Sequence, residues 1–324
     1  MIPEKNSCLV SIIIPVYNAE RYIAETVQSC LNQLYTNFEL VIVNDGSTDG
    51  SEAEILNFND SRIKYFRIEN SGSCEARNFG ISKALGQLFQ FLDHDDVLDA
   101  NKLSRQVNKY QEFGDDYIYS AEMGTVSNTG RTKGRGYELY EKNFTPIEYF
   151  ETLFNQFGKC MTTGAWLVPE KLLKSTHGWD KRAGLNDDGE YFMRIIVNSS
   201  GIVFCKAALF FFRRDVPNSL SKQFGTKDVY VKWLYSYKSY VKHFIDAFEY
   251  SKAKELGWKA LSVYYCASYP KYPDLLRECR SEMKKLGYNK PCAHGGDVFV
   301  KTSKVIGIML TLKLWYLRGK AKFF

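Results

Sequence analysis

The chain has no C-x-x-C pair. Its eight cysteines stand alone at 8, 30, 74, 160, 205, 266, 279 and 292, a scatter without zinc-like spacing. That excludes a structural zinc module and a disulfide scaffold, and reads as reduced thiols filling core positions of a cytosolic protein. No stretch reaches the ~20 apolar residues that a membrane-spanning helix needs. A signal peptide is absent too, because Met1-Ile2-Pro3-Glu4-Lys5 leads into a short β-branched run and not an h-region. The expectation is a protein made and kept in the cytoplasm. Internal repeats and low-complexity tracts are missing. So is a Gly-rich phosphate loop near the N-terminus, where Pro15-Val16-Tyr17-Asn18 stands instead.

What is present suits a globular protein with a substantial core. The 324 residues are 45% apolar and 25% charged, ordinary values. Aromatics reach 15%, with 22 Tyr and 22 Phe, many of them after residue 200. The net charge of +6 reads either as a solvated basic surface or as attraction to an anionic membrane or polyanionic substrate.

Along the chain, apolar β-branched runs alternate with helical spacing. Strands are expected at 10–15, 39–43, 63–66 and 88–92, with helices after Asn18 (Ile23, Val27, Cys30, Leu31, Leu34) and near 50–57 and 74–85. Such alternation implies parallel βαβ units. Further strands are expected at 117–121, 164–168, 203–205 and 209–212, and a mobile polar loop at 124–136. A helix is expected near 189–198, and mainly helices from 226 to 286.

Two acidic clusters follow buried-strand runs: Asn44-Asp45-Gly46-Ser47-Thr48-Asp49 and Asp93-His94-Asp95-Asp96. Carboxyl ends of parallel strands are where open α/β sheets bind ligands. Asp93 and Asp95, one residue apart, can share a hard divalent cation of the kind that accompanies a phosphate-bearing substrate. The plainer reading is acidic residues capping the next helix. Asp187-Asp188-Gly189-Glu190 opens another helix, where acids also suit the macrodipole.

Five segments in order, Ser11–Asn18, Val43–Asp49, Asn70–Asn78, Phe91–Asp96 and Asp187–Arg194, resemble those of the family 2 glycosyltransferases over about residues 7–215. The resemblance implies an α/β, A-type glycosyltransferase (Rossmann-like nucleotide-diphospho-sugar transferase) domain with a C-terminal helical extension. It implies that Pro15, Val16 and Tyr17 lie against the nucleotide base and that Asp45 accepts a hydrogen bond from the base. Arg77 would approach the nucleotide, or else pair with Asp45 or Glu75. Asp93-His94-Asp95 matches the D-x-D motif. Asp95 would bind Mn²⁺ or Mg²⁺ directly, and Asp93 would lie nearer the ribose or reach the metal through water. His94 fills a variable slot. Asp188 matches the family's catalytic base, with Glu190 as runner-up and Asp187, in place of the family's Glu, supporting. Trp179 would stack on an acceptor sugar or lie in the core. Arg213, Arg214 and Ser219 would close over the diphosphate or form a basic surface loop. The Q-x-x-R-W motif of processive relatives is absent, which favours a single sugar addition.

The tail Val305–Leu317, followed by Arg318, Lys320 and Lys322, suits a membrane-interface helix or a helix packed on the protein or in a dimer. The expected organisation is a catalytic domain over 1–220 (nucleotide half about 7–100, acceptor half about 101–220) and a helical extension over 221–324, with the interface helix at 305–324. The expected reaction is inverting transfer from a nucleotide-sugar, a UDP-sugar first, to a hydroxyl of a glycan or lipid-linked acceptor in cell-surface polysaccharide synthesis. Peripheral contact with the inner face of the cell membrane joins the expected partners, and nucleic acid does not. The alternatives are a nucleotidyltransferase, which would want the missing Gly-rich loop, and a non-catalytic sugar-nucleotide-binding module, which would tolerate loss of the acidic residues.

Overall fold

A computed structural model describes residues 8–127, 129–133, 142–155, 162–214, 216, 225–294 and 296–317. The described residues of 1–146, 161–181 and 198–217 form one compact unit, and those of 147–160, 182–197 and 218–324 a second.

The first unit is built on a 9-stranded sheet of order β3-β2-β1-β4-β8-β6-β9-β5, with β7 paired to β6. Its strands are β1 Val10–Val16, β2 Phe38–Asp45, β3 Ile63–Ile68, β4 Leu88–Phe91, β5 Val97–Leu98, β6 Tyr117–Ser127, β7 Gly130–Lys133, β8 Leu167–Pro169 and β9 Gly201–Arg213. The first four run parallel, joined by helices α1 Ile23–Leu31, α2 Ser51–Leu56 and α3 Ser73–Lys83. Ile12–Ile14 and Leu40–Val43 are wholly buried, as continuous apolar runs in a sheet covered on both faces must be. Close packing of α3 on β1 needs a glycine. A Cβ on Gly80 would stand 2.6 Å from Ile13 Cγ2.

Three local expectations differ. The stretches 203–205 and 209–212 belong to one strand, β9, not two. Its pairing with β6 jumps from Ala121↔Cys205 to Glu122↔Leu209. The bulged residues turn at Ala207 (φ 64°), whose amide donates to Glu122 Oε1 at 2.9 Å. Residues 124–127 and 130–133 are not loop but a β6–β7 hairpin; 128 and 134–136 lie outside the described residues. Thr163–Ala165 is a 3-10 turn preceding β8, so only the end of 164–168 is strand.

Helix α4, Lys102–Phe113, turns Lys102 and Gln106 inward, both fully buried. Lys102 Nζ donates to Gln90 Oε1 and, at 2.7 Å, to Gln106 Oε1. The two amide nitrogens then reach the carbonyls of Phe91, Gly164, Tyr119 and Ala165. This polar hub ties α4 to β4, β6 and the turn before β8. Burial pushes the Lys102 ammonium down to about 7 from its usual value near 10.4. Between those values the unfolded chain holds one more proton, so Lys102 makes stability rise with pH above about 7. The buried Cys30 and Cys205 thiols, pushed up to about 12, act with the opposite sign, so the comparison must be differential. In urea titrations from pH 7 to 9, Lys102→Met is expected to flatten the profile by up to ~1.4 kcal/mol per pH unit. Parallel profiles would show that Lys102 stays charged in the native state.

The second unit is helical: α5 Pro146–Asn155, α7 Asp187–Val197, α8 Lys227–Ala247, α9 Tyr250–Ser268, α10 Pro273–Lys285, α11 Asp297–Ile306 and α12 Ile308–Leu317. The short α6, Glu170–Lys174, belongs to the first unit. Helix α8 buries Tyr230, Trp233, Leu234, Tyr237, Tyr240 and Phe244, the spacing of a single apolar face. These rings meet Phe150 of α5 (4.8 Å to Phe244) and Tyr264 of α9 (5.2 Å to Trp233). Many of the aromatics beyond residue 200 thus form a core.

Candidate active site

The carboxyl ends of β1, β2 and β4 lie side by side, because β1 sits between β2 and β4. The chain order reverses between β1 and β4, which makes this edge the switch-point crevice of the sheet. It gathers Pro15, Val16, Tyr17, Asp45, Asp93 and Asp95, and Arg77 from α3 joins them.

Pro15 and Val16 are buried in the last turn of β1, while Tyr17 is 47% exposed. The loop after β2 supports that turn. Asn18 Oδ1 accepts from the Thr48 amide at 2.9 Å, and Ser51 Oγ accepts from the Ala19 amide at 2.7 Å. Asp45, itself buried, uses both carboxylate oxygens on the loop ahead of α3. Oδ1 accepts from the Ser71 amide at 2.7 Å and Oδ2 from the Gly72 amide at 2.9 Å. Gly72 has φ 93°, a conformation that a residue with a Cβ resists.

Arg77 is buried, and its partner is Asp93 at 2.7 Å, neither Asp45 nor Glu75. Its guanidinium lies over the Trp179 ring, 4.3 Å from the centroid. Trp179 is a core residue, packed edge-on to Phe91 and tied through its amide and carbonyl to Asn78.

The D-x-D turn is held from behind by residues that sequence order does not connect. His94 Nδ1 donates to the Pro15 carbonyl at 3.3 Å, so the middle position joins β1 to the turn. The Thr26 hydroxyl of α1 lies 2.9 Å from the His94 carbonyl and 2.8 Å from that of Asp96. Arg213, at the end of β9, is buried rather than part of a surface loop. Its Nε donates to the Asp95 carbonyl at 2.7 Å, its guanidinium pairs with Glu25, and its amide donates to Asp96 Oδ1 at 2.9 Å. The neighbouring Arg214 is exposed, and Ser219 lies outside the described residues.

These carboxylates fit a hard cation. Burial, and then the Asp93 charge, raise the Asp95 carboxyl above its usual range. Asp96 is raised further by burial and by both neighbours, and its Oδ2 is buried without a hydrogen-bond partner. The pocket is short of positive charge where a divalent ion would supply it. Among the described residues no three or more metal-ligating side chains converge. Asp95 and Asp93 would therefore provide a minority of ligands, as in Mg²⁺ sites completed by phosphate and water.

Asp188 and Glu190 lie in the second unit, in the first turn of α7. Glu190 is 2% exposed. Its Oε1 accepts from Arg194 Nε at 2.9 Å and Ser239 Oγ at 2.7 Å, and its Oε2 accepts from the Arg194 guanidinium at 2.8 Å. Asp188 is only partly buried, and its Oδ1 accepts from the Gly189 amide at 2.6 Å. Asp187 Oδ1 in turn accepts from the Asp188 amide at 2.8 Å.

Comparison with known proteins points to one family. Residues 11–167 match the family described as Glycosyl transferase family 2. An uncharacterized glycosyltransferase of Rickettsia typhi is 47% identical over 197 residues, 60% of each chain. One of Rickettsia felis is 40% identical over 147 residues, 44% of this chain and 22% of the relative. The chain thus spans less than two thirds of the length of these relatives. The crystal structure of S. aureus TarS 1-349 in complex with UDP-GlcNAc superposes with a TM-score of 0.74 at 16% identity, covering 96% of this chain and 92% of that one. That likeness is one of fold, the A-type glycosyltransferase sheet followed by helices. Through residues 11–167, which carry Asp45, Arg77, Asp93 and Asp95, the chain is a member of glycosyl transferase family 2.

Proposed function

We propose that this chain is an inverting, non-processive glycosyltransferase. It moves a sugar from a UDP-sugar to a hydroxyl of a glycan or lipid-linked acceptor, in the service of cell-surface polysaccharide synthesis. The observation that carries this reading is the D-x-D turn at the switch point, clamped by Arg77, Thr26 and Arg213 beside Asp45. The fold shared with TarS, solved with UDP-GlcNAc, motivates the choice of UDP.

In this reading Tyr17 and Asp45 receive the base, and Asp93, paired with Arg77, faces the ribose. Asp95, with Asp93 second, would hold Mn²⁺ or Mg²⁺; the ion when bound acts as a Lewis acid on the diphosphate. Asp188 takes the proton of the acceptor hydroxyl as that oxygen bonds to the anomeric carbon from the face opposite the leaving group. The bond from the anomeric carbon to the diphosphate breaks, and its electron pair leaves with the nucleoside diphosphate. Configuration is inverted by this single displacement.

Thermal stabilisation by UDP-, GDP-, dTDP- and CMP-sugars, each with and without Mn²⁺, tests the donor half. A UDP-sugar at about 100 times its Kd is expected to add ~2.7 kcal/mol, with metal only and not in Asp95→Ala. A shift confined to another nucleotide reassigns the base. No metal-dependent shift with any of the four would sink the reading.

A further inference from the structure

The C-terminal helices leave an apolar surface that the proposed reaction does not use. Helix α11 buries only Phe299, and α12 only Thr311 and Leu312. Fourteen large hydrophobic side chains are exposed among the described residues, and six of them stand here: Val298 68%, Val305 83%, Ile306 37%, Leu310 49%, Tyr316 52% and Leu317 69%. Such concentration in two short helices marks an interaction surface rather than the scatter of a normal exterior.

The exposed faces share one pattern. Val298, Lys301 and Val305 fall at i, i+3 and i+7 on α11, and Leu310, Lys313 and Leu317 repeat it on α12. Both lysines are exposed. Gly307, at φ 80°, turns the chain between the two helices, and Phe299 meets Trp315 at 5.4 Å. Against a single acidic residue, Asp297, the sequence from the start of α11 to residue 324 contains Lys301, Lys304, Lys313, Arg318, Lys320 and Lys322. The last three of these lie outside the described residues.

We infer that α11 and α12 form a docking surface for an anionic lipid bilayer, lying in the headgroup region with their exposed aliphatic residues directed into the acyl boundary. Charge decides the occupant. A second copy of the same surface would bring cations against cations, whereas an acidic leaflet complements them and lets lysine stems reach its phosphates. No described helix is long and apolar enough to cross a membrane, so the contact is with the interface alone. The inference does not depend on the sugar-transfer reading, because it uses none of the residues assigned there.

The test is flotation of the full chain with vesicles of phosphatidylcholine alone and of phosphatidylcholine with roughly one third phosphatidylglycerol. The expected result is recovery with acidic vesicles, little with neutral ones, and release as salt rises from about 0.1 M to 1 M. Replacing Lys301, Lys304 and Lys313 by Ser should lower partitioning roughly a hundredfold, each lysine counting for roughly fivefold. Leu310→Ser with Leu317→Ser should lower it comparably, with the melting temperature and nucleotide-sugar stabilisation unchanged. Equal recovery with neutral vesicles, none with acidic ones, or wild-type partitioning of both variants would overturn the inference. A concentration-dependent dimer abolished by Leu310→Ser would also overturn it, by giving the face to a second copy.

Discussion

Replacing Asp188 by Asn is expected to lower kcat by roughly 10²–10⁴-fold, the usual loss on removing a general base, while nucleotide-sugar binding and melting temperature stay as in the wild type. The substitution is nearly isosteric. Asp188 Oδ1 accepts from the Gly189 amide at the start of α7, and the Asn amide oxygen can keep that bond. What Asn lacks is the capacity to take a proton from an attacking hydroxyl. The match of Asp188 to the family's base, and the ion pair that already holds Glu190, favour Asp188. Both oxygens of Glu190 are engaged by Arg194, one of them also by Ser239, so this carboxylate already serves a buried ion pair. Steady-state kinetics with a defined acceptor, alongside donor hydrolysis and thermal shift, would check the split. Full activity in Asp188→Asn moves the role to Glu190. Lost activity together with lost donor stabilisation would show instead that the substitution has disturbed binding.

The nucleotide half of the sheet was legible because its signals are local. Apolar runs that end in carboxylates, at Val43-Asn44-Asp45 and Leu92-Asp93, mark both a strand and its ligand-facing end. Helix α4 was not legible, since its inward face mixes Lys102 and Gln106 with only two apolar residues, Leu103 and Val107, too few for a hydrophobic period to stand out. The β9 bulge broke one strand into two apparent ones, because Lys206 and Ala207 interrupt the apolar run where Glu122 supplies the missing hydrogen bond. The clamp on the D-x-D turn was invisible for another reason. Arg213 and Glu25 are separated by 188 positions and Thr26 and Asp96 by 70, and no local pattern encodes such meetings. For Arg77 the acidic motifs offer Asp45 and Glu75, while the partner, Asp93, comes from the end of β4.

Glu190→Gln is expected to destabilise the protein by about 3–5 kcal/mol, the cost of breaking a buried ion pair from one side. The Glu190 and Arg194 side chains are 2% and 7% exposed, so the guanidinium would lose the carboxylate it pairs with here, and a Gln amide would turn a donor toward its donors. The melting temperature should fall by several degrees. Removing both charges in Glu190→Leu with Arg194→Met should restore most of the loss, because well-packed apolar groups need no partner. His243 gives a second, local readout. Burial holds its imidazole below the ordinary range, and the Glu190 charge pulls it back up, so in Glu190→Gln its titration should move lower still. A structural Glu190 therefore predicts lost stability, rescue by the double variant and a displaced His243. If Glu190 were the base, the double variant would recover its stability and yet stay inactive, with kcat down by orders of magnitude.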